Sequence, residues 1–275
     1  MNPASAAHAA DTLRTTDRDR YFATLVLPAA SRPAITALYA FNADIATVRD
    51  RAREPAAGEI RLQWWADALA GTDHGAVRQN PLADALLDAI AEYGLPVPPL
   101  TRLIEARRFD LYQDPMPDLP TFEGYAGETH AVLYQLGAMI LAGGRPVEAA
   151  DAAGHLGVAH ALVGHLRAFG YNASRGRVFL PWSVFAANGV AEGDVLSGTP
   201  TDAIAAALGQ IDELAADHLA KARAAIAALD RPLRPIMAPL ALVAAQRRRL
   251  RLAAPFAPQP DLADWRKLLL LATAR

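Results

Sequence analysis

The run Arg32-Pro33-Ala34-Ile35-Thr36-Ala37-Leu38-Tyr39-Ala40-Phe41-Asn42-Ala43-Asp44-Ile45-Ala46-Thr47-Val48-Arg49-Asp50 decides how the chain folds and what it can do. Its apolar residues recur at three- and four-residue spacing, the pattern of one face of a helix. Its carboxylates are few. Asp50 closes the run beside Arg49, and Asp44 lies six residues earlier.

Helix spacing continues on both sides. Leu82, Leu86, Ala89, Ile90 and Tyr93 form one stripe, and Ile204, Leu208, Ile211, Leu214 and Ile226 another. Abundant alanine adds helix propensity, and alternating strand runs are scarce. Proline in the first turn marks helix starts at Asn80-Pro81 and Val97-Pro98-Pro99, while Gly71, Gly94 and Gly143-Gly144 mark stops. The pattern predicts a loop over 113–120, helices over 121–142 and 147–168, a loop over 172–181, and a long helix over 202–228. A break at 231–235 and two more helical segments follow. The expected architecture is all-α: a flexible N-terminus over 1–17 and one domain over 18–275, with no linker or internal repeat to divide it.

Composition narrows the function. The chain has 275 residues, 52% of them hydrophobic, enough for one large core. A net charge of −2 gives no basic face for nucleic acid. There is no cysteine, hence no thiolate nucleophile and no thiolate metal site. Lys221 and Lys267 are the only lysines among 27 basic residues, which fits a GC-rich, alanine-rich genome as well as any need for guanidinium groups. Residues 1–20 lack an apolar core and carry Asp11, Asp17 and Asp19, so neither a secretory signal nor a transit peptide is expected. No stretch reads as a membrane span. The expected location is the cytoplasm, with peripheral contact at the inner face of the membrane left open.

The run from Arg32 to Phe41 resembles the first signature of squalene/phytoene synthases, R-x-A-I-x-A-L-Y-A-F, which leads into an acidic D-D-x-x-D cluster. Leu156-Gly157-Val158-Ala159 through Leu166-Arg167, followed by Arg175-Gly176-Arg177-Val178-Phe179-Leu180-Pro181, resembles the second signature and its G-R-x-Y-L-P run. Thr121 to Leu136 stands where that family has a Y-x-x-x-V-A-x-x-V-G helix. The resemblance runs from about Arg18 to the C-terminus. It implies a single helical bundle of the type I isoprenoid synthase kind around a central cavity. It also implies two facing acidic clusters that hold Mg²⁺ against the diphosphate of a prenyl donor. Mg²⁺ is a hard ion that takes oxygen ligands and neutralises charge on the leaving group.

This sequence departs from the pattern at the ligands. The leading aspartates of the first cluster fall on Ala46 and Thr47, leaving Asp50. Asp44 sits two residues early, a helical rotation of about 200° that turns it from the cavity. In the second cluster the acidic positions fall on Ala168, Tyr171 and Asn172, and the amide positions on Ala161 and Gly164. Alanine, threonine and tyrosine do not replace hard anionic ligands. The departure implies no catalytic residue and no metal or other cofactor. Arg167, Arg175 and Arg177 remain as candidates for anion binding or for ion pairs within the bundle.

Ala40 to Asp50 also resembles the A-F-N-x-E-L-A-x-V-K-D run of the complex I (NADH dehydrogenase) assembly factor 6 branch of the same family. Gly58 to Trp65, His155 to Ala168 and Ser174 to Pro181 resemble that branch as well. It too lacks the paired aspartates. The implied role is a non-catalytic assembly or interaction factor with a protein partner in complex I biogenesis. Two alternatives stay open: a Mg²⁺-dependent head-to-head prenyl synthase using Asp50, Glu59 and Asp110, and an isoprenoid or lipid binding protein.

Other constellations read as structure. His155, His160 and His165 recur every five residues, so neighbours lie about 140° apart and do not share a metal. Trp64-Trp65 reads as core more than as a stacking site. Glu105, Arg107, Arg108 and Asp110 read as helix ion pairs. Gln246 to Arg251 and Leu268 to Leu271 read either as a solvated helix face followed by a docked helix, or as a patch for anionic lipid or a partner.

Overall fold

In the computed structural model, which describes residues 1–72 and 76–274, every regular element among the described residues is helical. The first half comprises α1 (Pro3–Thr16), α2 (Arg18–Leu25), α3 (Arg32–Ala46), α4 (Val48–Arg51), α5 (Pro55–Ala70), α6 (Pro81–Tyr93), α7 (Val97–Arg108) and α8 (Leu119–Ala126). The second comprises α9 (Val132–Leu141), α10 (Ala150–Arg167), α11 (Phe169–Ala173), α12 (Trp182–Ala187), α13 (Glu192–Leu196), α14 (Asp202–Ala228), α15 (Pro239–Arg247) and α16 (Asp264–Thr273).

The punctuation behaves as its chemistry requires. The Asn80 side chain accepts from the backbone N–H of Leu82 and Ala83 and so caps α6, with Pro81 in the first turn. Gly71 and Gly94 end α5 and α6 at φ of 69° and 59°, a left-handed conformation that glycine adopts without steric cost. The helix expected over 202–228 has those bounds. The helix expected over 121–142 is divided by a π turn, Gly127–Ala131, at its glycine-containing start. Such turns insert a residue and redirect the side chains around them.

One expectation is overturned. Residues 1–17 are not a flexible leader. Asn2 caps α1, Pro3 starts it, and Ser5, Ala9 and Leu13 bury one face at four-residue spacing. That face packs on α3 and α6, and the Ser5 hydroxyl donates to Asp84 at 2.8 Å. Two of the stripe's three residues, Ser5 and Ala9, are small, which leaves Leu13 as its only large apolar side chain.

The core divides in two. One apolar cluster gathers α1, α3, α5, α6, α7 and α9, and α3 belongs to it on nearly all sides. The other gathers α8, α12, α14 and the C-terminal half of α10, with α10 lying along α14. Gly157 of α10 makes the approach to the π turn feasible: a Cβ there would meet the Ala131 backbone N at 2.6 Å. A polar seam bridges the two clusters, and it holds the positions singled out by the sequence.

Candidate functional site

The seam starts where α3 ends. Asn42 is buried on α3, and its Oδ1 accepts from Arg107 Nη2 at 3.4 Å. Arg107 is buried at the end of α7 and donates through Nη1 to Asp110 at 3.1 Å and to the Tyr125 hydroxyl at 2.7 Å. Tyr125 donates in turn to the other Asp110 oxygen at 2.7 Å. Asp110 is 2% exposed. Its carboxylate is therefore spent on a buried hydrogen-bonded cluster, the arrangement that a buried charge requires.

Arg49 joins this cluster to the mouth of the seam. Its Nη1 lies 3.9 Å from Asp110, its Nε 3.6 Å from Asp50, and its guanidinium stacks over the Phe179 ring at 4.7 Å. Asp50 also faces Arg177 at 3.7 Å and accepts from the Tyr171 hydroxyl at 3.4 Å. Arg175 stacks on Tyr171 at 3.7 Å. Two carboxylates, Asp50 and Asp110, thus meet three guanidinium groups, Arg49, Arg107 and Arg177, and local charge is positive. A cleft of about 320 Å³ opens here, lined among others by Arg49, Arg53, Glu54, Tyr112, Gln113 and Arg177. The Nε atoms of Arg49, Arg107 and Arg177 are buried without a hydrogen-bond partner among the described residues.

The structure brings some of the expected residues together and separates others. Asp50, Tyr171, Arg175 and Arg177 converge. Ala46 offers no donor, and Thr47 spends its hydroxyl on the backbone carbonyls of Ala43 and Asp44, at 2.9 and 3.0 Å. Asn172 is buried, and its backbone carbonyl accepts from the N–H of Arg175 and Arg177, closing the turn after α11. Ala168 ends α10. Arg167 belongs elsewhere: it donates to Asp261 at 2.9 Å and lies 3.9 Å from Asp19, sharing no partner with Arg175 or Arg177. Asp44 turns toward α5, where it accepts from Trp65 Nε1 at 2.9 Å, and it also accepts from Arg51 at the end of α4 at 2.7 Å. Glu59 is held by Arg108 and by the Tyr112 hydroxyl. Glu59 therefore serves partners of its own, while Asp50 and Asp110 are linked, among the described residues, only through Arg49.

A second polar group fills the seam near α1 and α2. Arg20 donates to Asp17 at 2.6 Å, and the Tyr134 hydroxyl pairs with His160 Nδ1 at 2.7 Å. Burial opposes ionisation of Asp17, but the charge and hydrogen bonds of Arg20 outweigh it and hold the carboxyl below its ordinary range. Burial, helped by the charge of Arg20, pushes His160 down to about 3. Burial, helped by Arg49 and Arg107, does the same to His165, and His130 is likewise depressed. These imidazoles are neutral at pH 7. The five-residue spacing sends the three α10 histidines to separate neighbours: His155 to His218 at 3.1 Å, His160 to Tyr134, and His165 among Phe122, Tyr125 and Phe179. Among the described residues no three His, Asp or Glu side chains converge as metal ligands. The donor set of the seam does not fit Mg²⁺, because each carboxylate faces guanidinium groups that neutralise it.

Fold and site together define the class: an isoprenoid-synthase bundle whose polar seam pairs Asp50 and Asp110 with arginine. The chain belongs to the squalene/phytoene synthase family, whose sequence model matches residues 13–268. It is 32% identical over 211 residues to human NADH dehydrogenase (ubiquinone) complex I, assembly factor 6, covering 77% of this chain and 63% of that protein. It is 27% identical over 200 residues to 15-cis-phytoene synthase of Synechococcus elongatus, covering 66% of this chain and 62% of that protein. The matches thus span less than two thirds of these relatives' length. Among solved structures, a dehydrosqualene synthase superposes with a TM-score of 0.81 at 18% identity over 98% of this chain and 95% of that one. A squalene synthase from Alicyclobacillus acidocaldarius gives 0.71 at 21% identity over 89% of this chain and 94% of that one.

Proposed function

We propose that this chain acts as a non-catalytic factor in the assembly of respiratory complex I, through a protein partner and without Mg²⁺ chemistry. The observation that carries the reading is the charge of the seam. Where prenyl transfer needs anionic oxygens to gather Mg²⁺, Asp50 and Asp110 are held by Arg49, Arg107 and Arg177. Relatives named for complex I assembly support the role.

The test has two arms. Deleting the gene lowers NADH:ubiquinone oxidoreductase activity in membranes, and both the wild-type chain and Asp50→Ala restore it. The purified protein releases no diphosphate from farnesyl or geranylgeranyl diphosphate with Mg²⁺. Release that stops in Asp50→Ala overturns the non-catalytic reading. Unchanged oxidoreductase activity in the deletion strain overturns the assembly role.

A second reading, binding of an anionic isoprenoid or lipid without turnover, is favoured by the guanidinium groups of Arg49 and Arg177, which line the cleft and keep a buried Nε without a hydrogen-bond partner among the described residues. Stabilisation by pyrophosphate in the absence of metal would support it.

A further inference from the structure

The outer face of α15 and α16 carries charge and apolar surface that the bundle does not use. Trp265 and Leu269 lie one turn apart on α16 and are 61% and 56% exposed. They border a groove of about 390 Å³ whose walls include Arg248, Arg249, Leu262 and Arg266. The opposite side of α16 is firmly anchored. Leu271 is fully buried, and the buried Lys267 donates to Asp19 at 2.8 Å and to Asp261 at 2.6 Å. The exposed pair is therefore held outward by a docked helix.

Charge on this face is unbalanced. Its acids are already matched: Asp264 with Arg18 at 2.5 Å, and Asp261 with Arg167 and Lys267. Arg247 is matched by Asp212 through two hydrogen bonds, at 2.8 and 2.7 Å. Arg248, Arg249 and Arg251 are exposed and have no ion-pair partner among the described residues. Arg266 only stacks on Trp265, at 5.0 Å. Three of these unmatched guanidinium groups, Arg248, Arg249 and Arg266, thus line the groove with an outward tryptophan and leucine, and Arg251 follows them in the chain. Aromatic and aliphatic side chains enter the headgroup boundary while arginines meet anionic headgroups. α16 has ten residues, and no described helix is long and apolar enough to cross a membrane.

We propose that this face docks the protein onto an anionic lipid surface, with Trp265 and Leu269 entering the interface and Arg248, Arg249, Arg251 and Arg266 bound to headgroups. The assignment is independent of the assembly role and of the seam.

The test is sedimentation of the full chain with vesicles of phosphatidylcholine alone or containing about a third phosphatidylglycerol. Binding is expected only to the anionic vesicles, and it is lost between about 0.1 and 1 M salt as the screening length falls from about 10 to 3 Å. Arg248→Ala with Arg249→Ala weakens binding about 25-fold, or about fivefold per charge. Trp265→Ala with Leu269→Ala weakens it at least about tenfold. Both double variants keep the wild-type melting temperature, because all four side chains are exposed. Equal binding to neutral vesicles, no binding to either, or wild-type binding by both variants overturns the proposal. Absence of vesicle binding together with salt-sensitive capture of polyglutamate would assign the patch to an acidic polypeptide instead.

Discussion

Replacing Arg107 by alanine separates a carboxylate committed to structure from one free to bind metal. Arg107 and Asp110 are 6% and 2% exposed, and the guanidinium also holds Tyr125 and Asn42. Its removal leaves Asp110 with the Tyr125 hydroxyl and with Arg49 at 3.9 Å. Breaking one side of a buried pair costs about 3–5 kcal/mol. For a domain of this size each kcal/mol lowers the melting temperature by roughly 2–4 °C, so a fall of roughly 6–20 °C is expected. Urea unfolding should show a lower midpoint at unchanged slope, the mark of lost stability in an unaltered fold. Asp110→Asn in the Arg107→Ala background removes the uncompensated charge and should recover more than about 1 kcal/mol of the loss, measured as a double-mutant cycle. A loss below about 1 kcal/mol, the range of exposed ion pairs, would mean that water reaches Asp110 and that it is available as a ligand.

Three further outcomes follow from the packing and the buried imidazoles. Gly157→Ala drives a Cβ into the Ala131 backbone and should cost about 1–3 kcal/mol in urea unfolding; a neutral result would mean that α10 and the π turn are not in close contact. Leu13→Ala empties a fully buried site on α1 and should cost about 2–5 kcal/mol, whereas a frayed N-terminus would show no change. His160 and His165 stay neutral in the folded protein down to about pH 3, against an ordinary value of 6.5. The unfolded chain therefore binds more protons between those limits, and stability present above pH 6.5 is lost as pH falls toward 3. The slope is at most about 1.4 kcal/mol per pH unit for each histidine. Urea midpoints that stay level from pH 7 to pH 5 would contradict the burial of these rings.

Much of the fold was legible because it rests on local signals. Proline, asparagine and glycine punctuate α5, α6 and α7 where their backbone preferences require, and the apolar stripe of α14 runs its full length. The stripe of α1 was not legible, since Ser5 and Ala9 are small and leave Leu13 as its only large apolar side chain. At the site, the resemblance alone sets Ala46, Thr47, Ala168, Tyr171 and Asn172 at the ligand positions of the family pattern. The pairing of Arg107 with Asp110 could be read too, from its three-residue spacing. The arginine partners of Asp50 and of the far side of Asp110 could not. Arg49 reaches Asp110 from α4, and Arg177 reaches Asp50 from the turn after α11, contacts set by tertiary packing. The same holds for Arg167, whose partners Asp19 and Asp261 come from opposite ends of the chain.

The most direct test of the central claim is a thermal melt with pyrophosphate, alone and with Mg²⁺. A ligand present at 100 times its dissociation constant stabilises the folded state by about 2.7 kcal/mol, or roughly 5–10 °C here. With the seam carboxylates held by arginine, any shift caused by pyrophosphate should be the same with and without Mg²⁺. An added shift that requires both together, and that disappears in Asp50→Ala, would show that the seam gathers divalent metal after all.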